Sequence, residues 1–412
     1  MRSAIPRTAR RSTRGRLTAA AAACALLSAG TFLPAGAATA SAAQPRQAST
    51  TLQAALRQDL SDYLTARRTA EHISAVSLRI TFPGPRPAIS LADGTTRYDG
   101  GPPVSASALW QIGSNTKAFT SVILLQLEAE GKLSVDDPVG TWLPQYPAWR
   151  HITIRQLLDM TSRIPGYTSQ PAFLSALEAN PSARFTTAQL VSYVTGLPLG
   201  PAGYHYTNTD YILAQMIIEK VTHESYASQL TQRITGPLGL RSTCLAPYTC
   251  PPSDAARMPA GYLYDTGVPP SLLGQAMPPL ALTWAQGAGG IISSLADLTT
   301  WDRALYSGQL LPPRQQHQLE SLVSEATGQP IARTTLADPS GYGLGVQQQT
   351  TPQAGTFWDY EGETYGNRVA HYYFPRSGMI IALAVNSATE LDNDALGVLA
   401  GSVYQTLQNA GA

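Results

Sequence analysis

Lysine is nearly missing from this chain: Lys117, Lys132 and Lys220 stand against 25 arginines. Charged residues make up only 13% of the 412, and no basic run follows the first sixteen residues. Six arginines and no acid lie in residues 1–43, so the remainder carries 22 basic against 27 acidic side chains, a net charge of −5. A mildly acidic chain without basic clusters is a poor partner for nucleic acid or anionic membranes. Cysteine is equally sparse. Cys24 falls in the N-terminal apolar run and lacks a lipobox, leaving only Cys244 and Cys250 in Thr-Cys-Leu-Ala-Pro-Tyr-Thr-Cys. In an oxidising compartment two such cysteines read as one local disulfide, and two lone thiols make a poor metal site. His223-Glu224 opens like a zinc-protease H-E-x-x-H, but residue 227 is Ala. No G-x-S-x-G elbow surrounds Ser114, because residue 112 is Ile. Gly341-Tyr-Gly-Leu-Gly345 lacks the strand–helix setting of a dinucleotide loop and reads as a strand. No internal repeat is present, and no cofactor is expected.

The N-terminus has the grammar of a secretion signal. Arg2, Arg7, Arg10, Arg11, Arg14 and Arg16 form a basic segment; Leu17 to Leu33 is apolar and alanine-rich; small residues ending at Ala37, Ala40 or Ala42 offer cleavage sites. The apolar core is short and ends at Pro34, which argues against a permanent membrane anchor. The expected organisation is a signal over 1–43, a linker over 44–51 and one large domain over 52–410.

Within that domain Leu52 to Ala66 is patterned as an amphipathic helix. Val76 to Phe82 and Pro87 to Leu91 alternate as strands about the Pro83-Gly84-Pro85 turn. Residues 135–290 are mostly short helices cut by Pro and Gly, and Gly289-Gly-Ile-Ile-Ser-Ser294 reads as a turn into a helix over Leu295 to Leu305. Strand patterns return at Tyr342 to Val346, Val369 to Phe374 and Met379 to Asn386, before a last helix over Leu391 to Leu407. The expected fold is α/β (α+β): a sheet built from N- and C-terminal parts, with an inserted all-helical lobe. A cleft between the two is the usual place for a site.

Ser114-Asn-Thr-Lys117 opens an apolar helix that Gly131 can close. Positions i and i+3 share a helix face, so Lys117 lies one turn from Ser114. A lysine on a buried face sheds its charge or finds a partner, and a neutral amine beside a hydroxyl is a base beside a nucleophile. The spacing alone is weak: at ordinary serine usage chance supplies it about one time in four. The plain alternative is an N-cap serine followed by a first-turn lysine. Further along, Tyr206 and Asn208 precede a helix over Tyr211 to Val221, two residues apart in extended chain, so both can point one way. A tyrosinate near a lysine cation can take protons, and an Asn amide can hydrogen-bond a substrate carbonyl and the lysine together.

The order Ser-x-x-Lys, then Tyr-x-Asn some ninety residues on, resembles the serine hydrolase superfamily of class C β-lactamases, secreted D-alanyl-D-alanine carboxypeptidases and related esterases and D-aminopeptidases. Ile154-Arg-Gln-Leu-Leu-Asp-Met-Thr-Ser162, Gly287 to Ser293 and Gly341 to Gly345 resemble it too. The absence of K-T-G argues against class A β-lactamases. The resemblance implies an antiparallel sheet flanked by helices. It also implies roles: Ser114 as the acylated nucleophile, Lys117 as its base, Tyr206 as proton relay and Asn208 as holder of the substrate amide. The Ser114 and Glu363 backbone N–H groups would form the oxyanion hole.

One part of the pattern departs. The third motif of that superfamily is His- or Lys-x-Gly, yet none of the six histidines is followed by x-Gly. Tyr360-Glu361-Gly362-Glu363 stands in its place, with Tyr360 at the basic position. If Glu361 and Glu363 face the cleft they repel a substrate carboxylate by about 3 kcal/mol at 5 Å and an effective dielectric near 20. An amine-bearing substrate would then suit better. The expected activity is that of a secreted D-alanyl-D-alanine carboxypeptidase-like peptidase on cell-wall or D-amino-acid peptides. An esterase, D-aminopeptidase or amidase, or β-lactamase of the same fold is the alternative. A non-catalytic penicillin- or muropeptide-binding protein is the rival from another class. The expected partner is a small peptide, amide or ester, without metal or nucleic acid.

Overall fold

Alternation of Val76, Leu78 and Ile80 with Ser77 and Arg79 sets the first strand, β1 (Ala75–Thr81), which pairs antiparallel with β2 (Ile89–Gly94). The chain is described from a computed structural model covering residues 44–264, 269–389 and 395–411. The signal read over 1–43 lies outside these residues. Short strands β3 (Leu109–Gln111), β4 (Thr243–Leu245), β5 (Gly261–Leu263), β6 (Ala276–Met277) and β7 (Ile291–Ser294) follow. The C-terminal part supplies β8 (Leu322–Ser324), β9 (Pro330–Ile331), β10 (Ser340–Tyr342), β11 (Gln347–Thr351), β12 (Gly355–Glu363), β13 (Arg368–Phe374), β14 (Met379–Val385) and β15 (Ser387–Ala388). Nine strands make one antiparallel sheet in the order β2-β1-β14-β13-β12-β11-β10-β8-β9. N-terminal β1 therefore lies against C-terminal β14, with Leu78 opposite Leu383. Two three-stranded sheets, β3-β7-β4 and β15-β5-β6, complete the strands among the described residues.

Helices cover both faces of the large sheet, which is why β14 is buried at every position and reads apolar throughout. On one face lie α1 (Gln44–Arg67) and, at the far end of the chain, α12 (Ala395–Asn409). Leu56, Leu60, Leu399 and Val403 pack there with Leu78, Ile381 and Leu383. On the other face lie α2 (Thr116–Ala129) and α10 (Leu295–Tyr306), where Phe119 stacks on Trp301 at 3.7 Å between ring centroids. All of α2 except Gln126 and Ala129 is buried. A helix that is apolar all round belongs at the centre of a core. Between these helices run α3 (Val139–Trp142), α4 (Ile154–Leu158), α5 (Pro171–Ala179), α6 (Thr187–Ser192), α7 (Asn208–Thr222), α8 (Tyr226–Leu230) and α9 (Gln286–Gly289), and α11 (Pro313–Leu319) follows α10. Thr153 with Gln156 and Thr186 with Gln189 form capping boxes that start α4 and α6.

Four expectations are corrected. Helix α1 begins at Gln44, so residues 44–51, read as linker, are its first turns. The stretch 135–290 is not all helical, since β4, β5 and β6 lie inside it; strands of two or three residues carry no alternation to read. Ile291–Ser294, read as a turn, is a strand held between β3 and β4. The strand read over Tyr342–Val346 stops at Tyr342 because Gly345 turns the chain at φ +81°. A Cβ at Gly345 would lie 2.7 Å from both Ser121 Oγ and Tyr211 Oη, so only glycine lets this corner rest on α2 and α7. Cys244 and Cys250 are disulfide-bonded, closing a short loop at the end of β4.

Candidate active site

Ser114 sits in a 3₁₀ turn, Gly113–Asn115, that leads from β3 into α2. Gly113 takes φ +51°. A Cβ on it would lie 2.6 Å from the Glu363 backbone N, and one on Gly362 would lie 2.8 Å from the Ser114 N. Glycine at both positions lets the end of β12 close over the turn. The two N–H groups expected to flank an oxyanion therefore come from backbones in direct contact.

Lys117 and Tyr206 meet at the Ser114 hydroxyl, and Asn208 joins them through Lys117. Lys117 Nζ is 2.9 Å from Ser114 Oγ, 2.7 Å from Asn208 Oδ1 and 2.8 Å from the Ala288 carbonyl. Tyr206 Oη donates to Ser114 Oγ at 2.7 Å. Asn208 opens α7, and Thr207 caps that helix by accepting from the Thr209 N–H. The Tyr206–Asn208 segment is braced by the loop after α4. His205 N–H donates to the Met160 carbonyl at 2.8 Å, and Thr209 Oγ1 donates to the Pro165 carbonyl at 2.7 Å. Met160 and Arg163 hold positive φ in this loop, at 62° and 70°.

Lys117 is fully buried, and burial pushes its amine well below the ordinary lysine value; Asp210 pulls weakly the other way. Burial also pushes the Asp210 carboxyl well above its usual range, which favours the neutral acid and weakens that pull. A neutral amine has two N–H bonds and one lone pair. Asn208 Oδ1 and the Ala288 carbonyl take the two hydrogens, so the lone pair faces the Ser114 hydroxyl. Tyr206 presents 46% of its surface to the cleft, yet its hydroxyl end is enclosed by Ser114 and Tyr360. Burial of that hydroxyl pushes the phenol up to about 12, against the lowering effect of its hydrogen bonds with Ser114 and Tyr360, so it carries its proton at neutral pH. The tyrosinate–ammonium pair considered from sequence gives way to a neutral phenol and a neutral amine.

Tyr360 is buried at 4% exposure and points into the site, with its hydroxyl 3.4 Å from Tyr206 Oη and 2.6 Å from Tyr342 Oη. The acidic neighbours do not follow it, and the charge argument built on them is corrected. Side chains alternate along a strand, and directly paired residues share a face. Tyr360 pairs with His371 and Gly362 with Val369 on the Ser114 side. Glu361 pairs with Ala370 and Glu363 with Arg368 on the α1 side. Ala370 packs in the core beneath α1, where Arg368 is paired with Glu71 at 2.5 Å. Glu361 and Glu363 thus belong to the face away from Ser114, and Glu363 enters the site only through its backbone.

Two residues behind the serine were not anticipated. Asn115 is buried and donates from Nδ2 to the Ile112 carbonyl at 2.7 Å and the Val369 carbonyl at 2.9 Å; its Oδ1 is 2.8 Å from His371 Nδ1. Burial lowers the His371 imidazole to about 3, so the ring is neutral and its Nδ1–H donates to Asn115. Among the described residues no group of three or more His, Cys, Asp and Glu is placed to hold a metal ion, and no helix is long and apolar enough to cross a membrane.

A central nucleophile, a buried amine and a phenol on an antiparallel sheet define a class, the serine hydrolases of β-lactamase fold. The chain belongs to the beta-lactamase family, whose model matches residues 83–402. It is 28% identical over 301 residues to penicillin-binding protein 4* of Bacillus subtilis (strain 168), covering 70% of this chain and 64% of that protein. It is 27% identical over 224 residues to the putative penicillin-binding protein PbpX of the same organism, covering 52% and 51%. The matched regions thus span about half to two-thirds of these relatives' lengths. Among solved structures, a D-stereospecific amidohydrolase from Streptomyces sp. superposes with TM-score 0.69 at 27% identity, covering 86% of this chain and 97% of that one. A D-amino acid amidase from Ochrobactrum anthropi SV3 superposes at 0.73 with 22% identity, covering 88% and 100%, and shows the shared fold.

Proposed function

We propose that Ser114 is the acylated nucleophile of an exported hydrolase acting on D-amino-acid-derived amides and short peptides. The observation that carries this reading is the position of Ser114 Oγ, held between Lys117 Nζ at 2.9 Å and Tyr206 Oη at 2.7 Å. Lys117 takes the hydroxyl proton as Oγ attacks the carbonyl carbon. The Ser114 and Glu363 N–H groups receive the developing oxyanion, and Asn208 orients the substrate amide. Tyr206 gives its proton to the departing nitrogen or oxygen and recovers one from the Lys117 ammonium. Water reverses the sequence to release the acid.

The leaving side favours an amide over a free C-terminal carboxylate. A cation about 4 Å from such a carboxylate is worth about 4 kcal/mol at an effective dielectric near 20, whereas a neutral hydrogen bond nets about 1 kcal/mol. At position 360 this chain offers a phenol. Its similarity to a D-stereospecific amidohydrolase supports the amide reading. Similarity to penicillin-binding protein 4* supports a second reading, a D-alanyl-D-alanine carboxypeptidase on cell-wall peptides. The basic, then apolar, N-terminal segment supports export.

Hydrolysis of D-alanine p-nitroanilide and of an acyl-D-Ala-D-Ala peptide by wild type and Ser114→Ala tests both readings. The amide is expected to turn over faster, and Ser114→Ala to lose at least a thousandfold on it. Equal rates in the two proteins would overturn the assignment. Failure of Ser114 to be labelled by a fluorescent penicillin or a fluorophosphonate would favour a non-catalytic binding protein.

A further inference from the structure

The chain replaces the expected base of its third motif with a phenol, and that phenol is one of a row. Tyr342 Oη and Tyr360 Oη are 2.6 Å apart, Tyr360 Oη donates to Tyr206 Oη at 3.4 Å, and Tyr206 Oη donates to Ser114 Oγ at 2.7 Å. Tyr342 is 1% exposed, and its ring sits edge-on to Tyr206 at 6.4 Å between centroids. Its place is set by the Gly345 corner, which seats β10 against α2 and α7. Burial raises the Tyr342 and Tyr360 phenols well above their ordinary value, so both keep their protons. The hydrogens then run one way: Tyr342 to Tyr360, Tyr360 to Tyr206, Tyr206 to Ser114.

We propose that Tyr360, backed by Tyr342, is a positioning residue that makes Tyr206 a better proton donor to the leaving group. The inference rests on the acyl-transfer reading above and concerns how that site expels its leaving atom. As the tetrahedral intermediate collapses, the bond from the carbonyl carbon to the leaving nitrogen or oxygen breaks. The leaving atom takes the proton from Tyr206 Oη. The phenolate left behind gains a charge-assisted hydrogen bond from Tyr360 O–H until the Lys117 ammonium, holding the serine's original proton, restores Tyr206. At 3.4 Å the Tyr360–Tyr206 contact is long for an O–H···O bond at rest. It strengthens when Tyr206 becomes negative, so its benefit falls on the transition state. A second phenol donating into Tyr360 adds to the effect, since chained hydrogen bonds polarise one another.

This arrangement makes a distinctive demand on leaving groups. A poor leaving group needs the proton, whereas p-nitrophenolate departs without it. The test measures kcat/KM for aryl and alkyl acetates, from p-nitrophenyl through phenyl to trifluoroethyl, in wild type, Tyr360→Phe, Tyr342→Phe and Tyr206→Phe. Tyr360→Phe is expected to stay within about threefold of wild type on p-nitrophenyl acetate and to lose roughly ten- to hundredfold on the poorest leaving group, the range of one hydrogen bond to a charged group. The plot of log kcat/KM against leaving-group pKa therefore steepens. Tyr342→Phe steepens it in the same sense by a smaller amount, and serves alone if Tyr360→Phe does not fold. Adding Tyr360→Phe to Tyr206→Phe steepens it no further.

A parallel drop across the series with unchanged slope would mean that Tyr360 only fills space, and would overturn the proposal. So would a slope equal to wild type with no loss. If Ser114→Ala leaves hydrolysis of every acetate unchanged, the acyl-transfer reading itself fails, a result separate from any change in slope.

Discussion

Replacing Gly362 by alanine tests the oxyanion hole without removing a polar group. A Cβ at this position would lie 2.0 Å from the Ile112 carbonyl oxygen, 2.6 Å from Asn115 Nδ2 and 2.8 Å from the Ser114 N. Carbon–oxygen contacts begin at about 3.3 Å, so β12 must retreat from the Ser114 turn by about 1 Å. Donors to an oxyanion work at about 2.7–3.1 Å. A retreat of that size takes the Glu363 N–H out of range while leaving Ser114, Lys117 and Tyr206 in place. Loss of one such donor costs about 10²–10³ in kcat, and forcing a methyl into a filled space costs about 1–3 kcal/mol of stability. The assay is kcat on p-nitrophenyl acetate beside thermal unfolding. Gly401→Ala is the control, because that helical glycine has nothing within 4 Å of an added Cβ; it should gain about 0.5–1 kcal/mol and keep full activity. If folded Gly362→Ala retains activity within threefold of wild type, the Glu363 N–H is not part of the hole and the reasoning fails.

Two further outcomes follow from charge. Asn208→Asp puts a carboxylate 2.7 Å from Lys117 Nζ, favours the ammonium, and should move the acid limb of the pH–kcat/KM profile about one to three pH units to the alkaline side; an unmoved limb would exclude Lys117 as the base. Burial raises Asp159 to about 6, so the folded chain prefers its neutral acid; stability from this group is full below about pH 4 and is lost as pH rises through 6. Asp159→Asn retains an oxygen to accept from Thr161 N–H and Oγ1–H, and should raise stability at pH 8 by about 2–3 kcal/mol while converging on wild type near pH 3.5, checked by urea titration at the two pH values.

Much of the site could be read from spacing. With three lysines in the chain, one of them a helical turn past a serine, the amine of the site had few competitors, and Tyr206 and Asn208 share a side because they are two apart. The same parity argument, applied to Tyr360 and Gly362, would have sent Glu361 and Glu363 to the other face; that signal was present in the sequence. Asn115, His371 and Tyr342 were not legible. Asn115 looks like an ordinary residue at a helix start, and its partner Val369 is 254 positions away. Tyr342 matters through a corner that only the packing of Gly345 against α2 and α7 defines. Of the main sheet, β1 and β2 were readable from alternation and β14 from its unbroken apolar run, whereas the all-polar β11 was not. Nor were the strands of two or three residues.

That 254-residue separation across the Asn115–Val369 bond also sets a delay. A ribosome adds about 5–20 residues per second, so the Ser114 turn emerges roughly 13–50 s before Val369, the residue of β13 that Asn115 holds. Over that interval the nascent chain carries Ser114 and Lys117 without β13 and, for most of it, without β12, the strand that closes over their turn. A hydrolase whose site joins residues 114 and 369 is silent until both stretches have been made.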